Sequence, residues 1–268
     1  MSPQRETMRP LRVVTGGLVL VLGTAFIWFW SRPPSLDREW DEDVRVLTPV
    51  EQRPDGTVRL AAVRDWSYTQ ADIVSKSYTP VDYDVDDLEG LWLYEQDIGL
   101  DGLIAHTFLV FQFAEEYGQA RWLGLSVETR REMGEQYSIV RGMLHGFELT
   151  HIWATERDLV RRRVEYLDYP LTRYHIDVPV EYVRLLFQQM TTETHALSTD
   201  PRWYNTVRTN CTSSLISYVN QAEPGAIPRH YSSVLTGRAD DHLASLGYLD
   251  VESAQDITRE WLAGNALR

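Results

Sequence analysis

The sequence contains a single cysteine, Cys211, in 268 residues. One thiol excludes an internal disulfide, a CxxC redox motif and a zinc site built from several cysteines. Basic residues are also scarce, since 26 Lys and Arg stand against 39 Asp and Glu and the formal net charge is −13. Because phosphate recognition needs a basic surface, this balance argues against a nucleic-acid partner. Internal repeats are absent, and a hydrophobic content of 43% is typical of a packed globular protein.

Charge is missing altogether from residues 13–30. This run is about the minimum length for a membrane-spanning helix, and it ends in a Trp-Phe-Trp cluster typical of the membrane interface. The basic flank, residues 1–12, is expected to stay in the cytoplasm, which sends the rest of the chain across the bacterial inner membrane. No A-x-A-like site follows, so we predict an uncleaved anchor rather than a signal peptide. Residues 31–57 are predicted to be a tether and 58–268 a periplasmic domain.

Cys211 stands where a polar segment gives way to a helical pattern. Apolar residues follow it at intervals of four, seven and eight, which is the period of one helix face. Either Thr209 or Asn210 is a good N-cap, and Cys211 then lies in the first helical turn. A helix N-terminus stabilises a thiolate, which is the nucleophilic form of cysteine. A free cysteine is more commonly buried and inert, so this segment alone favours the inert role over the catalytic one.

Two apolar segments between residues 104 and 128 are predicted to form a β-hairpin. Pairing Leu109 with Leu125 places the apolar side chains of both strands on one face. The same register sets His106 opposite Glu128 on the other face, about 5 Å apart at Cβ. A carboxylate within reach orients an imidazole and keeps it basic. The pairing therefore makes a catalytic role for this histidine as reasonable as a structural one.

A dense polar run follows the hairpin, from Glu128 to Ser138. Mixed charge of this kind is typical of a solvated loop, but its position after the histidine hairpin also suits the wall of a cleft. Four side chains in and just after it are candidate substrate-binding residues: Arg131, Glu135, Tyr137 and Arg141. The acidic stretch 78–87 lacks the spacing and the glycine of an EF-hand loop, so we expect neither a metal nor a cofactor.

Strand patterns also occur at residues 58–66, 147–155 and 174–178, and a helical pattern follows Pro179. They predict an α+β fold in which an antiparallel sheet packs against helices. Arg64 and Asp65 are interpreted as a surface ion pair.

Several short segments together resemble the Lnb N-terminal periplasmic domain family, which is similar to the permuted papain-like thiol enzymes. The resemblance covers about residues 58–250 and depends on these segments: Val63–Trp66, Ile104–Thr107, Ser126–Glu128, Gly134–Ser138, Glu156–Asp158, Trp203–Thr206 and Thr209–Thr212. It implies a permuted papain-like fold in which the catalytic histidine precedes the cysteine. The implied Cys–His pair falls on Cys211 and His106.

The resemblance also implies N-acyl transfer to lipoproteins. We expect Cys211 to attack an ester or thioester carbonyl, with His106 as base and then acid and Glu128 orienting the ring. The Cys211 N–H, with the Asn210 side chain, is the expected oxyanion donor. The predicted function is a membrane-anchored periplasmic thiol acyltransferase or acyl hydrolase acting on a lipid or lipoprotein ester. A papain-like cell-wall peptidase or amidase and a non-enzymatic envelope scaffold are the alternatives.

The expected partners are the inner membrane and the lipid or lipoprotein substrate. A family member continues into a carboxy-terminal membrane region that is not found before this sequence ends at Arg268. We therefore also expect a membrane protein as a partner.

Overall fold

The computed structural model describes residues 23–24, 32–99, 102–116 and 119–262. The chain divides into two units, Met1–Ser35 and Leu36–Arg268, and the second contains the sheet. The predicted membrane-spanning segment, residues 13–30, lies outside the described residues apart from positions 23 and 24. No helix among the described residues is both long and apolar enough to cross a bilayer.

The described residues build one large sheet from nine strands and a separate two-stranded sheet. The strands are β1 (Val50–Gln52), β2 (Thr57–Arg64), β3 (Ser67–Tyr68), β4 (Ile73–Ser75), β5 (Tyr78–Asp84), β6 (Leu88–Asp97), β7 (Ala105–Glu116), β8 (Gln119–Arg130), β9 (Glu148–Thr155), β10 (Leu171–His175) and β11 (Gln255–Asp256). The large sheet runs β1-β2-β9-β8-β7-β6-β10-β11, with β5 on β2, and β3 pairs with β4. Its pairings are antiparallel except for the short parallel contact between β2 and β9.

The α-helices of the described chain are α1 (Ile139–Met143), α2 (Glu156–Arg161), α3 (Val180–Thr199), α4 (Cys211–Ala222), α5 (Ala239–Ser245) and α6 (Ile257–Leu262). The longest, α3, begins after Pro179 as the sequence predicts, since a fixed φ suits a helix start. A π-helical turn, Arg162–Tyr166, continues α2. The prediction of a mixed α+β fold with a large sheet is confirmed.

Helices cover the sheet on both faces. On one face, Leu109 and Phe111 of β7 share a core with Phe187 of α3 and residues of α4. On the other face, Phe108 and Val110 pack with residues of α2 and α6. Because both faces of β7 are buried, its sequence is almost continuously apolar rather than alternating.

The predicted register of the central hairpin is confirmed. Leu109 pairs with Leu125 and Phe111 with Leu123 in the β7–β8 ladder. A slip by one residue would have exchanged the two faces of both strands, and different helices pack against those faces.

The predicted tether, residues 31–57, is wrong from Leu36 onward. Trp40, Val44 and Val50 are buried in the domain, and β1 pairs with β2. The Trp40 ring lies 4.2 Å beneath the guanidinium carbon of Arg130. A few apolar anchors within a polar segment are enough to pack it, which composition alone does not indicate.

Arg64 and Asp65 do not form the predicted surface pair. Arg64 is buried and donates to the fully buried Asp158 over 2.7 Å, whereas Asp65 accepts from Arg157 over 2.8 Å. Both partners come from the start of α2, so the segments 63–66 and 156–158 lock β2 to that helix.

Candidate active site

The central sheet splits open at one end of the hairpin. The β7–β8 pairing begins at Phe108 and Ser126, while β7 stays paired with β6 as far as Ala105 and β8 with β9 as far as Arg130. The two strands therefore diverge around His106. Helix α4 packs against both strands, and in its first turn Thr212 hydrogen-bonds to Thr107 of β7, which brings Cys211 to this opening.

His106 lies against a carboxylate, as the register predicts. Its Nε2 is 3.2 Å from Oε1 of Glu128 and 2.8 Å from the hydroxyl oxygen of Ser126. Ser126 in turn donates to the same carboxylate oxygen over 2.7 Å. Because Nε2 is occupied in this way, Nδ1 is the ring nitrogen left for the thiol.

A buried arginine supports this carboxylate from behind. Arg163, in the π-helical turn, donates to Glu128 over 3.2 Å and to the Ser126 hydroxyl over 3.0 Å. Its guanidinium carbon lies 4.2 Å from the centre of the Phe108 ring. Its side chain is only 2% exposed, so the cation is held in place by these contacts. π-Helical turns are frequent at functional sites, and this one aims Arg163 at the histidine–carboxylate pair.

Asn210 is the N-cap of α4 and fixes where Cys211 stands. Its side-chain oxygen accepts from Ser213 N–H and its own N–H donates to the Ser213 hydroxyl, which completes a capping box. We expected the side chain to be an oxyanion donor, but both amide protons are donated to the carbonyls of Thr206 and Ser233. The side chain therefore positions the helix and has no proton left for a substrate.

Cys211 is 7% exposed, and its sulfur lies 3.9 Å from the Thr212 hydroxyl and close enough to His106 for the imidazolium to act on its pKa. Burial raises the pKa of this thiol, but the imidazolium of His106, the N–H of Thr107 and the hydroxyl of Thr212 together lower it to about 7. Its place in the first turn of α4 adds the favourable field of a helix N-terminus.

The pKa of His106 is raised and that of Glu128 is lowered, so both shifts favour the charged forms. Burial lowers the pKa of His106, but Glu128 and the Cys211 thiolate outweigh it and raise the pKa to about 9. Burial raises the pKa of Glu128, but His106 and Arg163 outweigh it and hold that pKa well below its usual range. The shifts of Cys211 and His106 both favour the charged pair, a thiolate beside an imidazolium.

An apolar cavity of about 520 Å³ opens beside this pair. It extends between the sheet and α3, α4 and α5, and Thr107 and Thr212, the neighbours of His106 and Cys211 in sequence, line it. Those two hydroxyls hydrogen-bond to each other over 2.9 Å. The other lining side chains are mostly aliphatic, among them Leu91, Leu93, Leu109, Val183, Leu186, Leu215, Ile216 and Val219.

A second carboxyl group lies near the thiol. Glu95 of β6 is the cross-strand partner of Thr107. Burial raises the pKa of Glu95 to about 8, and Asp240, Asp241 and Cys211 add to the effect. Its Oε2 is buried without a hydrogen-bond partner among the described residues. At pH 7 this carboxyl is mainly neutral.

The four candidate substrate-binding residues separate into different places. Arg131 pairs over 3.0 Å with Asp43, which lies in the stretch predicted to be a tether. Glu135 and Arg141 form an ion pair with each other. Tyr137 lies beside Tyr204, whose pKa burial and the nearby Cys211 raise far above its ordinary value. Of the four, Tyr137 is thus linked to the thiol through Tyr204.

Sequence reasoning missed Ser126, Arg163 and Tyr204. Ser126 carried a signal, since it is two residues before Glu128 on β8 and so shares its strand face. Arg163 carried none, because its approach depends on a π-helical turn that no pattern in residues 156–166 announces.

Among the described residues, no group of three or more His, Cys, Asp or Glu side chains is arranged to hold a metal ion. The site itself brings together a thiol, an imidazole and a partly exposed carboxylate.

Comparison with known proteins gives one match. The Lnb N-terminal periplasmic domain family matches residues 76–237. No curated protein and no solved structure matches the sequence. Because the family match spans more than half of the chain and includes His106, Glu128 and Cys211, the protein belongs to the Lnb N-terminal periplasmic domain family, and this membership supports a periplasmic location.

Proposed function

We propose that this protein is a thiol acyltransferase or acyl hydrolase that takes a long acyl chain from a lipid or lipoprotein ester onto Cys211. The observation that carries the proposal is the apolar cavity beside the nucleophile. A volume of about 520 Å³ is within the range of small-molecule sites, roughly 300–1,000 Å³. Its aliphatic lining suits a hydrocarbon chain and offers few polar groups to a peptide.

The position of the cavity explains how a chain and its carbonyl are aligned. Thr107 and Thr212 line the cavity, and Thr212 lies 3.9 Å from the Cys211 sulfur. A chain held by Leu93, Leu109 and Leu215 therefore presents its carbonyl to the thiolate. Holding the two reactants in this way converts a bimolecular encounter into a local step.

Acylation begins with attack of the Cys211 thiolate on the ester carbonyl carbon. The Cys211 N–H, for which the described residues provide no acceptor, donates to the carbonyl oxygen as it gains negative charge. The imidazolium of His106 gives its Nδ1 proton to the departing alkoxide as the ester C–O bond breaks. The products are a thioester on the enzyme, a free alcohol and a neutral imidazole.

Deacylation reverses the roles. An amine or a water molecule attacks the thioester, His106 takes the proton that the nucleophile loses, and the C–S bond breaks to restore the thiolate. Glu128 stabilises the imidazolium formed in this step, and Arg163 keeps Glu128 ionised. The product is an amide when the acceptor is an amine and a free acid when it is water.

The finer structural expectations fit this function. The cysteine lies at a helix start and the histidine at the start of a central strand, in the chain order of a permuted papain-like enzyme. We include in the proposal that residues 13–30 anchor the chain in the inner membrane, where the ester substrates are located, and that a membrane protein assists there.

The test is formation of an acyl-enzyme. The full chain is incubated with a long-chain lipid ester that carries an alkyne on its acyl group, and the labelled protein is analysed by mass spectrometry. A thioester on Cys211 is expected, and Cys211→Ala should abolish it. Labelling that survives Cys211→Ala, or cleavage of muropeptides without any acyl-enzyme, would overturn the proposal.

A second variant tests the cavity itself. Ile216 lines the cavity one turn beyond Thr212 and is only half-buried, so Ile216→Trp should narrow the cavity without unfolding α4. We expect long-chain acylation to fall sharply and acetyl transfer to Cys211 to persist. Leu185→Trp, at an exposed position on α3 outside the cavity, is the matched control. Equal loss of both chain lengths in Ile216→Trp would contradict the assignment of the cavity.

A further inference from the structure

Exposed apolar side chains gather around the mouth of the site. The described chain has 19 exposed large hydrophobic residues, and ten of them come from three short segments beside Cys211. We call these ten the apolar rim: Met133, Tyr137, Ile139, Val140, Met143, Leu144, Val207, Tyr231, Val234 and Leu235. Several are strongly exposed, such as Val140 at 63% and Tyr231 at 60%. Patches of this kind mark interaction surfaces.

Hydrogen bonds from the cap residue hold the three segments together. The Asn210 amide donates to Thr206 on one side and to Ser233 on the other. Thr206 in turn contacts α1 through its N–H to the Gly142 carbonyl and its hydroxyl to the Ile139 carbonyl. The rim is thus built on the same residue that positions the Cys211 helix.

The charges of the rim are unusual for this protein. Arg208 and Arg229, which flank Val207 and Tyr231, are exposed, and within the described part of the chain no carboxylate pairs with either of them. No acidic residue occurs in 205–210 or 228–236, although the whole chain has a net charge of −13. Glu132 and Glu135, in the remaining segment, are paired with Arg38 and Arg141. The rim therefore combines apolar side chains with unneutralised positive charge.

We infer that the apolar rim docks on the surface of a phospholipid bilayer that contains anionic lipid. Apolar side chains that enter the headgroup region beside arginines are the pattern of interfacial membrane binding. The uncharged run at residues 13–30 belongs to the same chain and points to the same occupant. A second copy of the protein fits poorly, because a symmetric contact would set the same arginines against each other.

The inference rests on the proposed function in one respect, since docking would place the cavity mouth where an acyl chain can leave the bilayer. Docking itself needs no catalysis. It can therefore be measured in a chain without the nucleophile, and its failure is distinguishable from failure of acyl transfer.

The single native cysteine makes the experiment direct. In full-length Cys211→Ser protein, a new cysteine is introduced by Val140→Cys or Val234→Cys and labelled with an environment-sensitive fluorophore. The controls are Val74→Cys and Leu185→Cys, which are exposed outside the rim. Each protein is reconstituted in vesicles of phosphatidylcholine and phosphatidylglycerol, with and without doxyl-labelled phosphatidylcholine.

Blue-shifted emission and quenching by the doxyl lipid are expected at positions 140 and 234 but not at 74 and 185. Arg208→Gln with Arg229→Gln should remove the part of the quenching that depends on phosphatidylglycerol. Arg59→Gln with Arg259→Gln should not, because those arginines are paired with Asp82 and Asp256. Solvent-like emission at the rim would overturn the inference, and so would a blue shift without lipid quenching, which would indicate burial against a second copy of the protein.

Discussion

Removing the imidazole of His106 should change how the reactivity of Cys211 depends on pH. In the native protein, burial raises the pKa of the thiol and the imidazolium more than reverses this, to about 7. His106→Asn keeps a polar side chain of similar size but removes the charge. Burial then acts unopposed by the imidazolium, and we expect the thiol pKa to return to its ordinary value of 9.0 or above.

The size of the effect follows from the thiolate fraction. At pH 7 about half of Cys211 is thiolate at a pKa of about 7, against about one hundredth at a pKa of 9, a loss of about 50-fold. The more basic thiolate is intrinsically about six- to tenfold more nucleophilic. The alkylation rate at pH 7 should therefore fall by about five- to eightfold. The two rate profiles should cross at about pH 8 or above, and at higher pH the variant should react faster.

The assay is the rate of iodoacetamide modification of the single thiol, followed by intact-mass spectrometry between pH 5 and 10. Limited access to the partly buried sulfur lowers the modification rate of both proteins by the same factor. The test therefore uses the pH midpoint of each rate profile and the pH at which the two profiles cross. An unchanged midpoint in His106→Asn, or a variant that is slower at every pH, would refute the ion-pair reasoning. His145→Asn, at a histidine stacked on Trp203, is the control and should leave the profile unchanged.

Other parts of the structure give further expected outcomes. Asn210→Ala should cost about 1 kcal/mol in urea unfolding through the lost cap and raise the thiol pKa, and Asn210→Asp should restore stability only in part because it lacks the two donated protons. Arg64→Met leaves Asp158 buried without its cation and should cost about 3–5 kcal/mol, of which Asp158→Leu in the same chain should recover only part, because the Trp66 N–H and the Tyr68 hydroxyl then lose their acceptor. Burial lowers the pKa of His151 to about 3, so its contribution to stability is complete above pH 6.5 and is lost as the pH falls towards 3, by at most about 1.4 kcal/mol per unit. His151→Gln should lack this component in denaturant titrations between pH 6 and 4. Arg163→Met should raise the pKa of Glu128 and reduce acyl-enzyme formation most at low pH. Arg163→Lys should restore part of the loss.

The hairpin and the cap were predictable because each is governed by local rules. Pairing Leu109 with Leu125 sets the apolar residues of β7 and β8 on a shared face, and that register already brings His106 to Glu128. Asn210 before an apolar helical pattern is an N-cap by its chemistry alone. Where side-chain period and capping decide, sequence and structure agree.

The remaining contacts depend on distances that no local rule specifies. Trp40 is buried because Arg130, far along the chain, provides a surface for its ring. Asp158 draws Arg64 into the interior because its carboxylate also accepts from the Trp66 N–H and the Tyr68 hydroxyl. A surface pair and a buried pair have the same residue types, and only the tertiary packing distinguishes them.

The divergence of β7 and β8 at the site depends both on local strand pairing and on tertiary packing. The His106 side chain contacts Ser126 and Glu128 of β8, although the β7–β8 backbone ladder ends before His106. The β7–β8 ladder begins only at Phe108, and the first turn of α4 lies at this strand start, where His106 and Thr107 lower the pKa of Cys211. The hydrogen bond between the Thr107 and Thr212 hydroxyls links β7 to α4 beside the cavity, which both residues line. The reactivity of this site thus depends on where strand pairing stops, since the thiol, the imidazole and the apolar cavity all lie next to the end of the β7–β8 ladder.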